Sequence, residues 1–487
     1  MQDPGLVGVD PEAHLYEQLT SEISRLINAG TLRPGERVPS VRKLSTQRRT
    51  SISTVMQAYR ILESRGIIEA RPKSGYYVRP VRWTPPPEPV IPPPGARPIM
   101  PSVGELIMRI RGDIQREGLI HFGGACANNS HHATRELHRY LAGIARQCSR
   151  SGLPFHQLGA AKQFRTQVAR RALDSGCSLS PDEIIPTTGA TESVHLCLRA
   201  VAEPGDTIAV ESPTYFGTLQ LIESLGMRAL PLPTHPQDGV CLDALETALR
   251  RHRVRACLFI LNYNNPLGCC TSDANKARLV ELLARREIPL IENDIYGELP
   301  FEGARPRTAK SFDKKGLVLL CDSFNKSLCL SYRVGWVAPG RFQGKVEYLK
   351  FIITDLANSI TQLAVGQFLS QGSYDAHLRR LRRFFSQEVQ NTTRAVAEHF
   401  PEGTKVTRPQ GGQMLWVELP GHVDAMQIYE RALAQNISIL PGCIFSPKRN
   451  FKNFIRLNCG NPWSEEIEGA LKRLGKIAAE VAGMPLR

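Results

Sequence analysis

The chain has 487 residues, 42% of them hydrophobic and 22% charged, and a formal net charge of +15. That length exceeds one ordinary domain and suits two or three. No apolar run reaches the ~18 residues that span a bilayer. Met1–Asp10 lacks a basic stretch followed by an apolar core, so neither a transmembrane helix nor a secretion signal is expected. The 12 cysteines scatter, and no Cys-x-x-Cys or Cys/His cluster has metal-site spacing. Reduced thiols in a cytoplasm, with no bound metal, are the expectation. The basic excess, with an isoelectric point near 9.4, hints at a polyanionic partner.

From the N-terminus, Leu15, Leu19, Ile23, Leu26 and Ile27 fall on one helical face, and Gly30 is placed to end that helix. Pro34–Gly35 marks a turn. Ser40 can cap a short helix carrying Arg42, Lys43 and Leu44. Ser51 or Ser53 can cap a third, in which Val55, Tyr59 and Leu62 repeat until Gly66 stops it. Two β-like runs, Ile67–Arg71 and Tyr76–Arg79, flank Pro72-Lys73-Ser74-Gly75. Three helices and a hairpin predict a winged helix-turn-helix over residues 11–80.

Residues 81–101 follow, crowded with Pro85, Pro86, Pro87, Pro89, Pro92, Pro93, Pro94, Pro98 and Pro101. Such a stretch lacks the donors for helix or sheet and is expected as polyproline II. At ~3.1 Å per residue it would reach about 60 Å, a semi-rigid linker between two bodies. Beyond it, strand-like runs alternate with helical ones: Ile184–Thr187, Thr207–Val210, Cys257–Leu261, Pro289–Ile291, Val318–Leu320 and Val334–Val337. This alternation predicts an α/β domain over 102–386, a largely parallel sheet with helices on both faces. In such sheets ligands gather at the carboxyl ends of the strands. From about Gln387 the pattern becomes a helix, a hairpin over Lys405–Leu419, two short strands and a final helix, a smaller α+β subdomain running to 487.

Reading DNA requires phosphate neutralisation and a helix that enters the major groove. The second and third helices offer Arg42, Lys43, Arg48, Arg49, Ser51, Ser53 and Thr54, and the wing offers Lys73 and Gly75. Basic residues of this kind also occur on ordinary solvated helix faces. The stretch from Leu32 to Leu44, with Ser53-Thr54-Val55, Ala58-Tyr59 and Gly75, resembles the GntR-type winged-helix signature. That resemblance implies Arg42 on phosphate or base edges and Ser51, Ser53 and Thr54 facing the groove. It also brings Lys73 and Gly75 to the minor groove or the backbone. Members often have arginine just after the recognition-helix cap, where this chain has Ile52, which cannot read guanine.

The strongest cue to chemistry is Asp322-Ser323-Phe324-Asn325-Lys326, with Arg333 seven residues on. A strand-end lysine can form a Schiff base with an aldehyde, while a serine and an arginine at that spacing can hold a phosphate. This segment resembles the Ser-x-x-Lys…Arg segment of fold-type I aminotransferases, and other stretches agree in order. Gly189, Ala190 and Thr191 open a helix, so their amides and the Thr191 hydroxyl could cradle phosphate. In Glu211-Ser212-Pro213-Thr214-Tyr215, Tyr215 fits the aromatic that stacks on the pyridine ring. Asn265, in Asn264-Asn265-Pro266-Leu267-Gly268, matches the asparagine on the ring hydroxyl, and Tyr296 would bond the same oxygen. Arg456 matches the arginine that clamps a substrate carboxylate, although a structural salt bridge is the alternative.

Two positions depart from that pattern. The family carries an aspartate three residues before the tyrosine, and here that place holds Asn293, followed by Asp294. An amide cannot stabilise a protonated ring nitrogen as a carboxylate does. Asp294 could serve if the strand shifts by one residue, but period-2 alternation would turn it away, which favours Asn293. Pro154-Phe155-His156 occupies the region of a tyrosine that reaches the neighbouring subunit's phosphate, and Phe155 lacks that hydroxyl.

Together the two halves resemble the MocR subfamily of GntR regulators. The resemblance implies pyridoxal 5'-phosphate on Lys326, a head-to-tail homodimer, double-stranded DNA as partner, and a small amino compound as effector. The main expectation is a transcription regulator that senses an amine; the alternative is an active aminotransferase carrying a DNA-binding domain. A DNA-binding dimer with an unused pocket is a third reading, disfavoured by the number of intact pocket positions.

Overall fold

The structure, a computed structural model, describes residues 14–28, 31–32, 35–64, 67–72, 74–79, 85–114, 116–124, 134–151, 160–328, 330–355 and 358–484. Gly30, Pro34, Gly66, Lys73, residues 81–84 and Pro154-Phe155-His156 lie outside the described residues, as does Met1–Asp10. The chain divides into two compact units, Met1–Thr84 and Pro85–Arg487.

In the first unit, helices α1 (Leu15–Asn28), α2 (Val41–Arg48) and α3 (Ile52–Ser64) precede strands β1 (Ile68–Arg71) and β2 (Gly75–Val78). The strands form an antiparallel hairpin with Ile68 opposite Val78. Both caps come from serines: Ser40 Oγ accepts the Lys43 N–H at 3.3 Å, and Ser51 Oγ accepts the Thr54 N–H at 3.0 Å. Leu19, Ile23, Leu44, Val55, Tyr59, Leu62, Ile68 and Val78 close one core, so the apolar spacing of each element is spent on this single contact surface. The Tyr59 hydroxyl donates to the Pro39 carbonyl at 2.6 Å, fixing α3 beneath the turn that leads into α2.

The second unit is built on a sheet of eight strands: β4 (Ile185–Thr187), β5 (Thr207–Ser212), β6 (Arg228–His235), β7 (Gly239–Val240), β8 (Val254–Phe259), β9 (Leu290–Asn293), β10 (Val318–Ser323) and β11 (Gly335–Ala338). Their order is β4-β11-β10-β9-β8-β5-β6-β7. The run from β10 to β6 is parallel, while β11 lies antiparallel to both β10 and β4. Side chains of β5 alternate between two cores, Ile208 and Val210 in one and Ala209 in the other, so both sheet faces are covered by helices. Helix Ser373–His399 runs on past Gln387 as a single element. Beyond it, β12 (Lys405–Val406), β13 (Met414–Glu418), β16 (Phe454–Asn458) and β15 (Leu440–Pro441) form an antiparallel sheet, and β14 (Ile437–Ser438) pairs with β3 (Ile120–His121).

The proline-rich segment is not a free spacer over its described length. Residues 85–101 are a strap on the second unit. Ile99 and Ala229 exchange backbone hydrogen bonds at 2.9 and 2.8 Å, and the Val406 N–H donates to the Pro87 carbonyl at 3.0 Å. Proline removes donors but leaves every carbonyl as an acceptor, and Ile99, not a proline, supplies the one N–H that the edge of β6 needs. No helix among the described residues is long and apolar enough to cross a membrane.

Candidate cofactor and DNA-binding sites

On the first unit, Arg42, Lys43, Arg48, Arg49, Ser51 and Ser53 are exposed, and Thr54 is half-buried. Ser51 Oγ lies 2.7 Å from both Ser53 Oγ and Thr54 Oγ1, one hydroxyl cluster at the start of α3. Ile52 stands beside it, 53% exposed. Arg48 is held differently, ion-paired to Glu22 of α1. Arg49 takes the left-handed conformation that ends α2. Gly75 has φ 105°, a conformation L side chains rarely adopt, and a Cβ there would lie 3.1 Å from the Arg37 guanidinium.

On the second unit, the strand ends bring the motif residues together. Gly189, with φ 136° and ψ 169°, leads from β4 into helix Ala190–Val201, so Ala190 and the exposed Thr191 form that helix's first turn. A Cβ on Gly189 would meet Asn325 Nδ2 at 3.0 Å and Arg333 Nη2 at 3.2 Å, so the two segments that flank Lys326 converge on this glycine. Gly335 is needed for the same approach, because its Cβ would strike the Gly189 Cα at 2.6 Å. Ser323 is buried at the end of β10 and Lys326 is half-buried in the turn that follows. Tyr215 caps helix Phe216–Ser224 and packs on Phe216 at 4.6 Å.

The Asn265 amide donates to the Tyr296 hydroxyl at 3.2 Å, while its Oδ1 is buried without a partner among the described residues. Asn293 Oδ1 is likewise buried without a partner among the described residues. By alternation along β9, Asn293 shares its face with Ile291, which packs in one core with Val194 and Leu198 of helix Ala190–Val201. Asp294 turns the other way. It accepts from Asn262 Nδ2 and Arg305 Nη2, both at 2.7 Å, and burial pushes its carboxyl upward while Arg305 opposes that. Glu298 extends the network, accepting from Arg171 Nε at 3.0 Å and lying 3.5 Å from Arg305 Nε. Arg456 is fully buried and donates to the carbonyls of Gly123 and Gly124.

Sequence spacing gave no signal for Arg305, Arg171 or Glu298, which come from separate stretches. It also passed over Glu192, which accepts the Thr188 hydroxyl at 2.7 Å and lies 3.3 Å from Lys350 Nζ. Its position two residues past Ala190, in the first turn of a helix, was the available clue.

Comparison with known proteins agrees with both halves. Residues 15–78 match the gntR family of bacterial regulatory proteins, and residues 128–474 match aminotransferase class I and II. The chain is 38% identical over 465 residues to the uncharacterized HTH-type transcriptional regulator YdcR of Escherichia coli (strain K12), covering 96% of this chain and 99% of that one. It is 36% identical over 461 residues to YjiR of the same organism, likewise named an uncharacterized HTH-type transcriptional regulator, at 95% and 98% coverage. Among solved structures, LysN, the alpha-aminoadipate aminotransferase of Thermus thermophilus complexed with N-(5'-phosphopyridoxyl)-L-leucine, superposes with a TM-score of 0.69 at 25% identity. That match covers 78% of this chain and 99% of LysN. Pyridoxal phosphate is the cofactor this family implies, and DNA is the partner implied by the gntR domain. The chain therefore belongs to aminotransferase class I and II and, with its gntR domain, to the MocR-type HTH transcriptional regulators.

Proposed function

We propose that this regulator holds pyridoxal 5'-phosphate on Lys326 and uses the pocket to sense a small amino compound rather than to turn it over. The observation that carries the reading is the pair of buried amide oxygens on Asn265 and Asn293 that find no partner among the described residues, together with the Gly189 cradle where Asn325 and Arg333 converge. Leaving a buried acceptor unmade costs about 1–3 kcal/mol, so two such groups at the carboxyl ends of neighbouring strands favour a polar ligand between them. When bound, pyridoxal phosphate supplies an aldehyde that condenses with one amine and exchanges it for another.

In this reading Lys326 provides the resident amine. Gly189, Ala190, Thr191, Ser323 and Arg333 take the phosphate: backbone amides at a helix start, two hydroxyls and one guanidinium. Tyr215 stacks on the ring, Asn265 and Tyr296 take its oxygen, and Arg456 takes the carboxylate of the incoming effector. Asn293 meets the ring nitrogen with an amide, which bonds it but adds no negative charge to keep it protonated. Asp294 cannot replace it while Arg305 and Asn262 occupy both its oxygens. The pocket is thus equipped to bind and exchange amines and poorly equipped to move the α-proton, which suits a sensor.

The DNA contacts assigned to this reading are those of Arg42, Lys43, Arg49, Ser51, Ser53, Thr54, Lys73 and Gly75; Arg48 contributes after leaving Glu22. A head-to-tail homodimer completes it. Helix Gln343–Ile353 exposes Tyr348, Phe351 and Ile352 three and four residues apart on one face, which supports an association surface there without fixing the head-to-tail order.

The test is an absorption spectrum of the full chain with pyridoxal phosphate, followed through a panel of amino acids, with Lys326→Ala in parallel. The expected result is a lysine-dependent visible band that certain amines shift and that then stays. Decay of the band with steady release of oxo acid would instead establish the active aminotransferase, and a band unaffected by Lys326→Ala would overturn the assignment of the resident amine.

A further inference from the structure

The strap of residues 85–101 roofs a second cavity, of about 330 Å³, within the range of small-molecule sites. Pro94 and Ala96 form its upper wall and the Leu230–Pro233 segment of β6 its floor. The third side is the face of helix Leu242–Arg251 that carries Ala244, Thr247 and Ala248. Those small side chains stand three and four residues apart and so share one face. Neither they nor a proline-rich strap send in a long side chain, which is why the space persists between packed walls.

The mouth of the cavity has the opposite chemistry. Arg251 and His252 line it at the end of the helix, within the run Arg250-Arg251-His252-Arg253, and Asp243 lines it at the helix start. Arg251 is exposed and, among the described residues, takes part in no ion pair, whereas Arg250 is paired with Glu246 at 3.0 Å and Asp243 with Arg278 at 2.5 Å. His252 Nε2 lies 3.0 Å from the Ala96 carbonyl. A carbonyl only accepts, so this nitrogen carries the hydrogen, and the same ring both borders the mouth and pins the roof. The roof is fixed on either side of that point, at Pro87 by the Val406 N–H and at Ile99 by Ala229.

We propose that this cavity is a binding site for a small amphipathic carboxylate, its hydrocarbon tail between strap, strand and helix and its anionic head on Arg251. Charge decides the class of ligand. An anion gains Arg251 as its partner, whereas a cation meets the basic run, because the lining carboxylate of Asp243 is already paired with Arg278. Because the strap is one wall, ligand binding and strap docking are reciprocally linked: a ligand that touches Pro94 and Ala96 holds the strap down, and a docked strap tightens the ligand. The site is separate from the cofactor pocket, since β6 lies toward the opposite edge of the sheet from β4 and β11, and it stands whether or not Lys326 carries pyridoxal phosphate.

The probe is octanoate, titrated calorimetrically into the full chain and set against octylamine, which has the same tail and the opposite charge. The expected result is one octanoate per chain, octylamine at least tenfold weaker, and at least tenfold weaker octanoate binding in Arg251→Glu and in Ala244→Phe. Octanoate should also slow proteinase K cleavage between residues 85 and 101 severalfold. Arg251 is exposed, so its variant keeps the fold, and an unchanged thermal midpoint checks this. Equal binding of the two probes, or octanoate binding unchanged in Arg251→Glu, overturns the proposal. Strap cleavage unaffected by saturating octanoate overturns its link to the strap.

Discussion

The polar groups on the two faces of β9 are handled in opposite ways. Toward helix Ala190–Val201 they are neutral amides, and Asn293 Oδ1, like Asn265 Oδ1 at the neighbouring strand end, has no partner among the described residues. Behind the strand they are charges matched to one another: Asp294 with Arg305, Glu298 with Arg171 and Arg305, and Asn262 bridging Asp294 to Lys276, whose Nζ lies 2.6 Å from the Asn262 oxygen. A buried ion pair adds little net stability, but its geometry is fixed once formed. The rear face therefore serves as a rigid backing, and the front face keeps unfilled valences for a ligand. Chain neighbours can divide these duties because strand alternation gives them different environments at no cost in sequence distance.

Breaking the backing should have the largest effect. Arg305→Met leaves Asp294 without its cation, with Glu298 and Asp322 nearby at 3.5 and 3.8 Å from the lost guanidinium. Removing one partner of a buried pair costs about 3–5 kcal/mol. The expected outcome is a large fall in the thermal midpoint of the second unit with the midpoint of the first unchanged, resolved by calorimetry. A midpoint within a degree or two of wild type would show that the network is not the backing described.

Glu211, at the end of β5, tests whether a carboxyl can survive there without a cation. It accepts the Ile260 N–H at 2.9 Å, and burial raises it to about 8, so it is neutral at pH 7. The sign follows from the proton count: a group whose folded value lies above its unfolded value binds more protons when folded, so stability falls as pH rises from about 4.5 through about 8. The expected loss between pH 5 and pH 9 is roughly 2–4 kcal/mol. Glu292, raised to about 7 by burial and by Asp294, acts in the same direction. Glu211→Gln should flatten the fall of the thermal midpoint with pH, and an unchanged slope would reject the neutral carboxyl.

Exchanging the duties across β9 is the next sharpest comparison. Asn293→Asp places a carboxylate on the front face while leaving Asp294 to Arg305. If the missing negative charge is what restrains turnover, oxo-acid release from amines that shift the spectrum should rise about tenfold or more, about 1.4 kcal/mol of barrier. Asp294→Asn should instead lower stability and leave turnover where it was. The reverse pattern would place Asp294 at the ring.

How far these duties could be read in the sequence depends on how locally they are encoded. Ser323, Lys326 and Arg333 sit in one short segment between the end of β10 and the start of β11, so fixed spacing announces them, and the direction of Asn293 follows from period-2 alternation. The six strands expected from apolar runs are present, with ends that differ from the expected ones by at most three residues. Arg171, Glu298 and Arg305 carry no such mark. Each is a single residue in its own stretch, and only the tertiary fold assembles them. The strap was legible in half: proline content dictates an extended backbone, but what that backbone docks against depends on Ala229 and Val406, far away in the chain. The antiparallel course of β11 was equally hidden, since an apolar run has no direction.

The smallest expected effect tests whether the same division holds in the DNA-binding unit. Ser51 does both jobs with one oxygen: it caps α3 through the Thr54 N–H and stands exposed beside the hydroxyls of Ser53 and Thr54. Ser51→Ala should lower the stability of this unit by ~1 kcal/mol, the usual worth of a cap, and weaken operator binding as well. Ser51→Asp separates the two. Aspartate caps as well as serine and is favoured by the helix dipole, so the thermal midpoint should return to wild type, while its charge repels the phosphate backbone and DNA binding should stay weak. If Asp restored both, the hydroxyl cluster would be a cap only, and the groove-facing surface would have to be sought at Arg42 and Lys43 alone.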